Sequence, residues 1–130
     1  MKLLGVMALA STLIGEATAL YIEKTCANLS LNPSTDVLSA NCNNKKGVAN
    51  PNSLDLNTCL GWNDEDSAIT YGTNFGNVCK DCYLETRFLD TWEGYYSFVV
   101  CTCAGIAGKD YGLGTSVHID NVDGVLICSP

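Results

Sequence analysis

The sequence predicts an all-β fold, on three observations. Turn-forming residues recur along the whole chain, no long amphipathic helix lies between them, and the remaining stretches are short and have strand character. These stretches run from Asp36 to Cys42, Ala68 to Tyr71, Tyr96 to Cys103, Ser116 to Ile119 and Gly124 to Cys128. Short strands separated by frequent turns are typical of an all-β architecture.

The predicted turns fall at clusters of asparagine, proline and glycine. They are Asn32-Pro33-Ser34, Lys46-Gly47, Asn50-Pro51-Asn52, Gly72-Thr73-Asn74, Gly105 to Gly108 and Gly112 to Gly114. One short helical turn is predicted between Leu54 and Leu60, because Leu56 and Leu60 have helical spacing and Ser53 is a suitable N-cap.

The middle of the chain and its last third contain related phrases. Ser53-Leu-Asp-Leu-Asn57, with Cys59-Leu-Gly-Trp-Asn63 and the apolar Ile69 after it, is echoed by His118-Ile-Asp-Asn-Val-Asp-Gly124. A cysteine pair joined by an apolar run precedes each copy, at Cys26 to Cys42 and at Cys79 to Cys103. We therefore predict two tandem repeats, at about 20–71 and about 72–130. Each repeat is too small to bury a core alone, so the two should pack into one pseudo-symmetric domain.

The first residues predict an exported protein. Lys2, the apolar run from Leu3 to Ile14 and the small residues Ala17-Thr18-Ala19 match the three parts of a secretory signal peptide. Residues 1–19 should therefore be removed, leaving residues 20–130 as one secreted, extracellular domain. The alternative is an N-terminal membrane anchor, but the run is short for a bilayer and no later stretch is apolar enough, so we expect no membrane insertion.

The eight cysteines all follow the predicted cleavage site, which predicts four disulfides. Many pairings are possible, and the sequence alone does not choose among them. A hairpin favours Cys79–Cys103 with Cys82–Cys101, since Cys101 and Cys103 would lie on one strand face. The duplication then favours Cys26–Cys42 and leaves Cys59–Cys128. The alternative for the four cysteines of the second repeat is a zinc site, which the C-x-C spacing and an oxidising compartment disfavour.

The composition is acidic and argues against several partners. The net charge is −7, and it stays there without residues 1–19, since their removal takes away one lysine and one glutamate. A phosphate backbone would be repelled, which disfavours nucleic acid. Asp64-Glu65-Asp66 lacks the spaced oxygen ligands of a calcium loop, so we interpret it as a solvated turn. No metal or cofactor is predicted.

Five segments occur in an order that resembles a known family. They are Thr25-Cys26-Ala-Asn, Val37-Leu-Ser-Ala-Asn-Cys42, Ser53-Leu-Asp-Leu-Asn57, Asn74-Phe75 and Ile119-Asp-Asn-Val-Asp-Gly-Val-Leu126. In this order they resemble the cyanovirin-N lectins, and most of all the cysteine-rich fungal homologues. The resemblance implies two triple-stranded sheets with β-hairpins and short 3-10 turns, in which each half contains parts of both repeats. It also implies a non-catalytic, calcium-independent lectin for mannose-terminated glycans or glycoproteins.

The better of two implied sites lies where the two ends of the chain meet. Its residues would be Lys24, Thr25, Asn43, Asn44, Lys45, Asn121, Val122 and Asp123. Amide, hydroxyl and carboxylate groups suit a sugar, because each pyranose hydroxyl both donates and accepts hydrogen bonds. The alternative is that residues 121–124 form only a hairpin turn, since Asn and Asp before Gly are common turn residues.

The second implied site has weaker support. Its residues would be Asn63, Asp64, Thr73 and Asn74. The turn within Gly61 to Ser67 is longer than is usual in the family, and polar residues of the family's pocket are replaced by Val78, Ala104, Gly105 and Ile106. We therefore expect one competent site.

Two further features have both a functional and a structural interpretation. Phe88, Trp92, Tyr95 and Tyr96 lie in an insertion from Glu85 to Tyr96, where they either bind a sugar or protein or cover the hairpin below. The same choice applies to Trp62. Asn28-Leu29-Ser30 is an N-glycosylation sequon in a chain predicted to be exported.

No catalytic constellation is evident, so we predict no enzymatic activity. His118 is the only histidine, and we interpret it as structural. No activated nucleophile or carboxylate pair is recognisable. The alternative function is a secreted effector or cell-wall interaction protein that keeps the lectin fold but binds a protein partner. A hinge between Asn50 and Asn57 would allow either a monomer or a domain-swapped dimer.

Overall fold

The computed structural model of the protein describes residues 22–129. The predicted signal peptide lies outside the described residues. Ten strands form most of the described chain: β1 (Cys26–Asn32), β2 (Val37–Asn43), β3 (Ala49–Asp55), β4 (Leu60–Asn63), β5 (Ala68–Tyr71), β6 (Cys79–Leu89), β7 (Gly94–Cys103), β8 (Ile106–Gly112), β9 (Ile119–Val122) and β10 (Val125–Cys128). A short helix, α1 (Ile22–Thr25), precedes them, and 3-10 helices occupy Leu56–Thr58, Phe75–Asn77 and Asp90–Trp92.

The strands form two triple-stranded antiparallel sheets and two hairpins. Sheet one has the order β1-β2-β3 and sheet two the order β6-β7-β8, while β4–β5 and β9–β10 are two-stranded hairpins. The all-β prediction is confirmed, and so are the paired triple-stranded sheets and short 3-10 turns that the resemblance implied. In the described part of the chain, no helix has the length and apolar character needed to cross a bilayer.

Alternation of side chains explains how sheet one lies on the core. Leu38, Ala40 and Cys42 of the central strand β2 are buried. Ser39 and Asn41 alternate with them and are only half-buried, because successive side chains point to opposite faces of a strand. One face of sheet one therefore packs on the core, and its outer face lies at the surface.

Several predictions of local structure are wrong. Asn50-Pro51-Asn52 lies inside β3 rather than in a turn, and Ile106 of the predicted turn at 105–108 begins β8. Pro51 is tolerated because β3 is an edge strand that pairs only with β2, where a missing backbone N–H breaks no ladder on the open side. Only Ile119 of the predicted strand from Ser116 to Ile119 is in a strand, because β9 begins there. The sequence pattern also indicates no strand at β1 or β4, and it indicates β6 only as the hairpin partner of the strand that contains Cys101 and Cys103.

The predicted helical turn is present as the 3-10 helix Leu56–Thr58, but with a different cap. Asp55, not Ser53, is the N-cap, and its Oδ1 accepts a hydrogen bond from the Asn57 amide at 3.0 Å. Ser53 instead faces Ser39 across the β2–β3 pair. The cap lies two residues later than predicted because β3 continues to Asp55.

Each half of the molecule contains parts of both repeats. Hairpin β4–β5 of the first repeat packs against β8, while hairpin β9–β10 packs against β3 and α1. The open ends of the hairpins correspond, with Leu60 opposite Tyr71 in one and Ile119 opposite Cys128 in the other. The structural counterpart of β9 is therefore β4. The segment His118 to Gly124 thus corresponds to the region of β4, and not to Ser53 to Asn57.

Four disulfides connect the eight cysteines. They are Cys26–Cys42, Cys59–Cys128, Cys79–Cys103 and Cys82–Cys101. The same four pairs were expected from the hairpin geometry and the duplication. The zinc alternative fails, because all four of its thiol ligands are disulfide-bonded.

Equivalent hydrogen bonds display the pseudo-symmetry of the core. The Leu56 amide donates to the Asp36 carbonyl oxygen at 3.0 Å, and the Leu113 amide donates to the Ser97 carbonyl oxygen at 2.9 Å. Both leucines are fully buried. Leu56 and Leu113 therefore occupy the same position in the two halves.

The two halves fill the space beside these leucines in opposite ways. In one half, Asn57 reaches Gly76, whose amide donates to the Asn57 Oδ1 at 2.8 Å. In the other half, the residue after Leu113 is Gly114, and the Glu23 carboxylate occupies the space where a Cβ at position 114 would lie. In one half the longer side chain follows the leucine and faces a glycine, whereas in the other half the glycine follows the leucine and faces the longer side chain.

The insertion from Glu85 to Tyr96 lengthens β6 and β7 into a projecting hairpin. Phe88 packs edge-to-face on Tyr95, and Trp92 packs edge-to-face on Tyr96. Tyr96 is buried, whereas Phe88, Trp92 and Tyr95 are 51%, 43% and 69% exposed. The interpretation that these rings cover the hairpin holds for Tyr96 but not for the other three.

Trp62 has a structural role. It is half-buried against the core, and its Nε1 donates to the Asp64 carboxylate at 2.7 Å. Both the ring and its polar atom are therefore satisfied within the protein.

Candidate functional site

The turn between β9 and β10 is a tight two-residue turn. Val122 pairs with Val125, and the φ angles of Asp123 and Gly124 are 52° and 90°. Asp-Gly suits this turn, because both central residues of a type I′ turn need a positive φ. The prediction that residues 121–124 form a hairpin turn is confirmed.

Two side chains of this turn reach the loop at residues 43–45 in the first repeat. The Asp123 Oδ1 accepts a hydrogen bond from the Lys45 backbone amide at 2.7 Å, and the Asn121 Nδ2 donates to the Asn43 carbonyl oxygen at 3.0 Å. The Asn121 Oδ1 also accepts from the Gly124 amide at 2.8 Å, which fixes the side-chain orientation. The structure therefore joins the two segments that the sequence places near opposite ends of the domain.

The turn approaches the first repeat closely. A Cβ at Gly124 would lie 2.8 Å from the Asn50 Nδ2 and 3.3 Å from the Asn44 Cβ. Asn52 also holds the turn in place, because its Nδ2 donates to the Gly124 carbonyl oxygen and its Oδ1 accepts from the Leu126 amide. Close approach and positive φ together explain the glycine at position 124.

A surface depression of about 310 Å³ lies beside this contact. Three predicted site residues, Lys24, Thr25 and Asn43, line it. The Thr25 Oγ1 is buried and has no hydrogen-bond partner among the described residues. Unpartnered buried hydroxyls are rare in folded proteins, and this one lies at the wall of the depression.

The other predicted residues adjoin the depression rather than line it. Asn43 connects the two parts, since it lines the depression and its carbonyl oxygen accepts the Asn121 bond. Lys45, Val122 and Asp123 are exposed. All eight predicted residues therefore belong to the depression, to the loop at 43–45 or to the turn that contacts this loop.

Sequence reasoning missed several residues that line the depression. They are Glu23, Cys26, Ala27, Asn28, Asn41 and Ala49. The Glu23 Oε2 accepts from the Ser97 amide at 2.7 Å, while its Oε1 is buried without a partner among the described residues. Alternation along β2 puts Asn41 on the same face as Asn43, which was the available sequence signal.

The depression offers hydrogen-bond donors and acceptors. Its polar side chains are three asparagine amides, one hydroxyl, one carboxylate and one ammonium group. Within residues 22–129, no cluster of three His, Cys, Asp or Glu side chains is arranged to hold a metal ion. This set can pair with the hydroxyls of a sugar, each of which needs both donors and acceptors.

The second predicted site begins with side chains held in their own turn. The Asn63 Oδ1 accepts from the Asp66 amide at 3.2 Å, and the Asn63 Nδ2 donates to the Asp66 carboxylate at 3.3 Å. Asp64 accepts from Trp62. Within residues 22–129, unlike Asn121, these side chains make no hydrogen bond to the other repeat.

The remaining two residues of this site lie beyond the open end of the β4–β5 hairpin. The Thr73 backbone packs on Gly61, where a Cβ would lie 3.1 Å from the Thr73 nitrogen. Asn74 has a φ of 64°, and its amide donates to the Asn57 carbonyl oxygen at 2.8 Å. Among the described residues, no hydrogen bond joins this pair to Asn63 or Asp64. The structure therefore does not connect the four residues as it connects those of the first site.

His118 lies just before β9 rather than inside a strand. Its Nδ1 is 2.9 Å from the Ser129 carbonyl oxygen, and its ring stacks on Tyr71 with the centroids 4.2 Å apart. These contacts support the structural interpretation of this histidine.

A family model covers the site and the fold together. The model of the CVNH domain matches residues 23–127. The chain belongs to the cyanovirin-N homologue family. The match includes both sheets, the β4–β5 hairpin, all but the last residue of the β9–β10 hairpin and every predicted site residue, and it confirms the family resemblance of the sequence.

Solved structures share the fold. The T. borchii protein TbCVNH has a TM-score of 0.62 and 23% identity, covering 84% of this chain and 99% of that one. The designed cyanovirin-N homologue lectin LKAMG has a TM-score of 0.65 and 22% identity, covering 84% and 99%. Microvirin, solved in complex with mannobiose, has a TM-score of 0.57 and 25% identity, covering 84% and 98%. The fold is therefore a lectin fold. Among curated proteins, none is a significant match.

Proposed function

We propose that the protein is a secreted lectin that binds mannose-containing glycans without calcium and without chemical change to the sugar. The proposed binding residues are Lys24, Thr25, Asn43, Asn44, Lys45, Asn121, Val122 and Asp123. One observation carries the proposal. The turn at 121–124 is hydrogen-bonded to the loop at 43–45, beside a depression with an unpartnered Thr25 hydroxyl.

The chemistry of the depression supports a neutral sugar. Asn28 and Asn43 are exposed on one concave surface, and the buried Thr25 hydroxyl lies at its wall. A sugar epimer with a misplaced hydroxyl would leave such groups unpaired, which is how fixed polar groups discriminate between sugars. Mannose is favoured because microvirin, at 25% identity, is solved with mannobiose.

Titration with mannobiose, followed by NMR, tests the proposal. Thr25→Val removes the hydroxyl with little change in volume, and we expect about fivefold weaker binding, because one hydrogen bond contributes about 1 kcal/mol. Thr86→Val is the matched control, since Thr86 is exposed on the projecting hairpin. Equal affinity of the two variants, or no shifts at Asn43 and Asp123, would contradict the proposal.

Export and calcium independence are tested separately. Export is predicted by the signal-peptide pattern of residues 1–19, and calcium independence is implied by the family resemblance. Chain recovered from the medium of an expressing host should begin at Leu20, and EDTA should leave the affinity for mannobiose unchanged. A retained N-terminus or calcium-dependent binding would overturn the corresponding part of the proposal.

We further propose one competent site per chain. The side chains of Asn63 and Asp64 are engaged within their own turn. They would have to break these hydrogen bonds to receive a sugar, which costs about 1 kcal/mol for each bond. A mannobiose titration should therefore saturate at one molecule per chain, and two equivalent sites would contradict this prediction.

A second candidate function is binding of a protein partner, as an effector or cell-wall interaction protein. The exposed rings of Phe88, Trp92 and Tyr95 favour it, because aromatic side chains dominate interface hot spots. A glycan array distinguishes the two functions. Binding to mannose-terminated glycans that is lost in Asn121→Ala supports the lectin, whereas no binding across the array favours the protein partner.

A further inference from the structure

A second depression, of about 600 Å³, lies on the outer face of sheet one. Its lining comes from all three strands and consists of Asn28, Ser39, Ala40, Asn41, Pro51, Asn52 and Ser53. We propose that this face binds the further units of a longer neutral oligosaccharide whose terminal mannoside occupies the first site. The inference rests on the proposed function and names the larger ligand that the same site would take.

The two depressions are continuous. Asn28 and Asn41 line both of them. Asn41 lies on the central strand between Ala27 and Pro51, while Asn28 lies in a bulge of β1 with a φ of 59°. A chain of sugars leaving the first site therefore has a path over these two amides onto the face of the sheet.

The polar side chains of this face are available for a ligand. Asn28, Ser39, Asn41 and Ser53 make no side-chain hydrogen bond among the described residues. Ser39 and Ser53 are cross-strand partners, so their hydroxyls lie side by side. Asn52 differs, because both ends of its amide are bonded to hairpin β9–β10.

The composition of the face selects a neutral, hydroxyl-rich occupant. The lining contains no charged side chain, and its apolar members are only Ala40 and Pro51. A charged ligand would find no partner there, and a peptide would find no deep apolar pocket for an anchoring side chain. Free amides and hydroxyls match the alternating donors and acceptors of a neutral oligosaccharide.

Sheet two does not offer an equivalent face. Cys42 and Cys103 occupy corresponding positions in the paired strands, which makes Val100 the counterpart of Ser39. Val100 is buried, and the Arg87 guanidinium lies 4.5 Å from the centre of the neighbouring Phe98 ring. Of the two triple-stranded sheets, only sheet one therefore has an exposed polar face of this kind, and this face adjoins the first depression.

Two ligands and a conservative double variant test the inference. Calorimetry should show that a linear mannotetraose binds the wild-type protein more tightly than mannobiose does. Ser39→Ala with Ser53→Ala should weaken mannotetraose binding about 25-fold, since two hydrogen bonds of about 1 kcal/mol each are lost, and leave mannobiose binding unchanged. Neither serine lines the first depression. Ser34→Ala, in the exposed turn before β2, is the control for a lost hydroxyl.

The possible outcomes separate the inference from the proposed function. NMR shifts at Ala40 and Ser53 with mannotetraose but not with mannobiose support the inference. If the double variant keeps the wild-type affinity for mannotetraose, the extended face is not used and the inference fails while the lectin proposal stands. If mannobiose binds neither protein, the proposed function fails, and the inference fails with it.

Discussion

The contact between Glu23 and Gly114 predicts strong coupling between two residues that are far apart in sequence. A Cβ at position 114 would overlap the Glu23 carboxylate. Gly114→Asn should therefore expel the Glu23 side chain, which now accepts the Ser97 amide at 2.7 Å. In the other half, Asn57 faces Gly76, so asparagine fits this position when glycine stands opposite.

The expected magnitude has two parts. Overpacking of a filled site costs about 1–3 kcal/mol, and an unpaired buried amide at Ser97 costs about 1–3 kcal/mol. Gly114→Asn should thus lower the free energy of unfolding by about 2–6 kcal/mol. Glu23→Gly alone loses only the bond to Ser97. The double variant should recover the overpacking part, because it reproduces the Asn57–Gly76 arrangement, but not the Ser97 bond.

Urea unfolding of the four proteins measures the coupling. We expect an interaction free energy of at least 1 kcal/mol in the double-mutant cycle, because contacting residues are not additive. The slope of the transition should stay constant, so that the midpoints report stability. Mannobiose affinity should fall in Gly114→Asn, since Glu23 lies in α1 beside Lys24 and Thr25. Additive effects within 0.5 kcal/mol would refute the contact on which the reasoning depends.

Gly124→Ala should destabilise the protein in urea unfolding and weaken mannobiose binding, because the new Cβ would lie 2.8 Å from the Asn50 Nδ2. Gly105→Ala is the control for backbone strain, since Gly105 has a similar positive φ but has open space around it. Asn28 lines the first depression, so expression in a host that N-glycosylates exported chains should abolish mannobiose binding. Calorimetry should show that Ser30→Ala, which removes the sequon, restores binding. Mannobiose binding by the glycosylated protein would refute this prediction. Burial raises the pKa of the Asp36 carboxyl, so the folded protein binds this proton more tightly than the unfolded chain does. The protonated carboxyl therefore contributes its full stabilisation at acid pH, and this stabilisation is lost as the pH rises through the folded pKa. Asp36→Asn should therefore be more stable than the wild type at neutral pH, with the difference vanishing in acid; equal unfolding midpoints at pH 7 would contradict this.

The fold class was predictable because its determinants are local or covalent. Turn residues are read one at a time, and the spacing of Cys101 and Cys103 already favours a hairpin. The strand β3 was missed for a physical reason. Pro51 normally argues against a strand, and only the position of β3 at a sheet edge makes it harmless. Whether a strand lies at an edge depends on pairing that the local sequence does not record.

The candidate site was predictable only in part. The Asp-Gly turn at 123–124 follows from local conformational preference, and the structure has it. Asn41 and Asn28 line the depression because of the register between β1 and β2, which includes a bulge between Ala27 and Ser30. A bulge shifts the facing of the later residues on its strand, so the alternation of the sequence identifies Asn41 on the regular strand β2 but not Asn28 on β1.

The difference between the two predicted sites follows from where the turn side chains find their partners. In the four-residue turn at 64–67, the Asn63 amide bonds to Asp66, three residues away. In the two-residue turn at 123–124, Asn121 and Asp123 bond to backbone groups 78 residues away. A longer turn can satisfy its polar groups internally, whereas a tight turn leaves them free to hold a distant loop in place. Turn length therefore decides which end of this pseudo-symmetric fold joins both repeats into one polar surface.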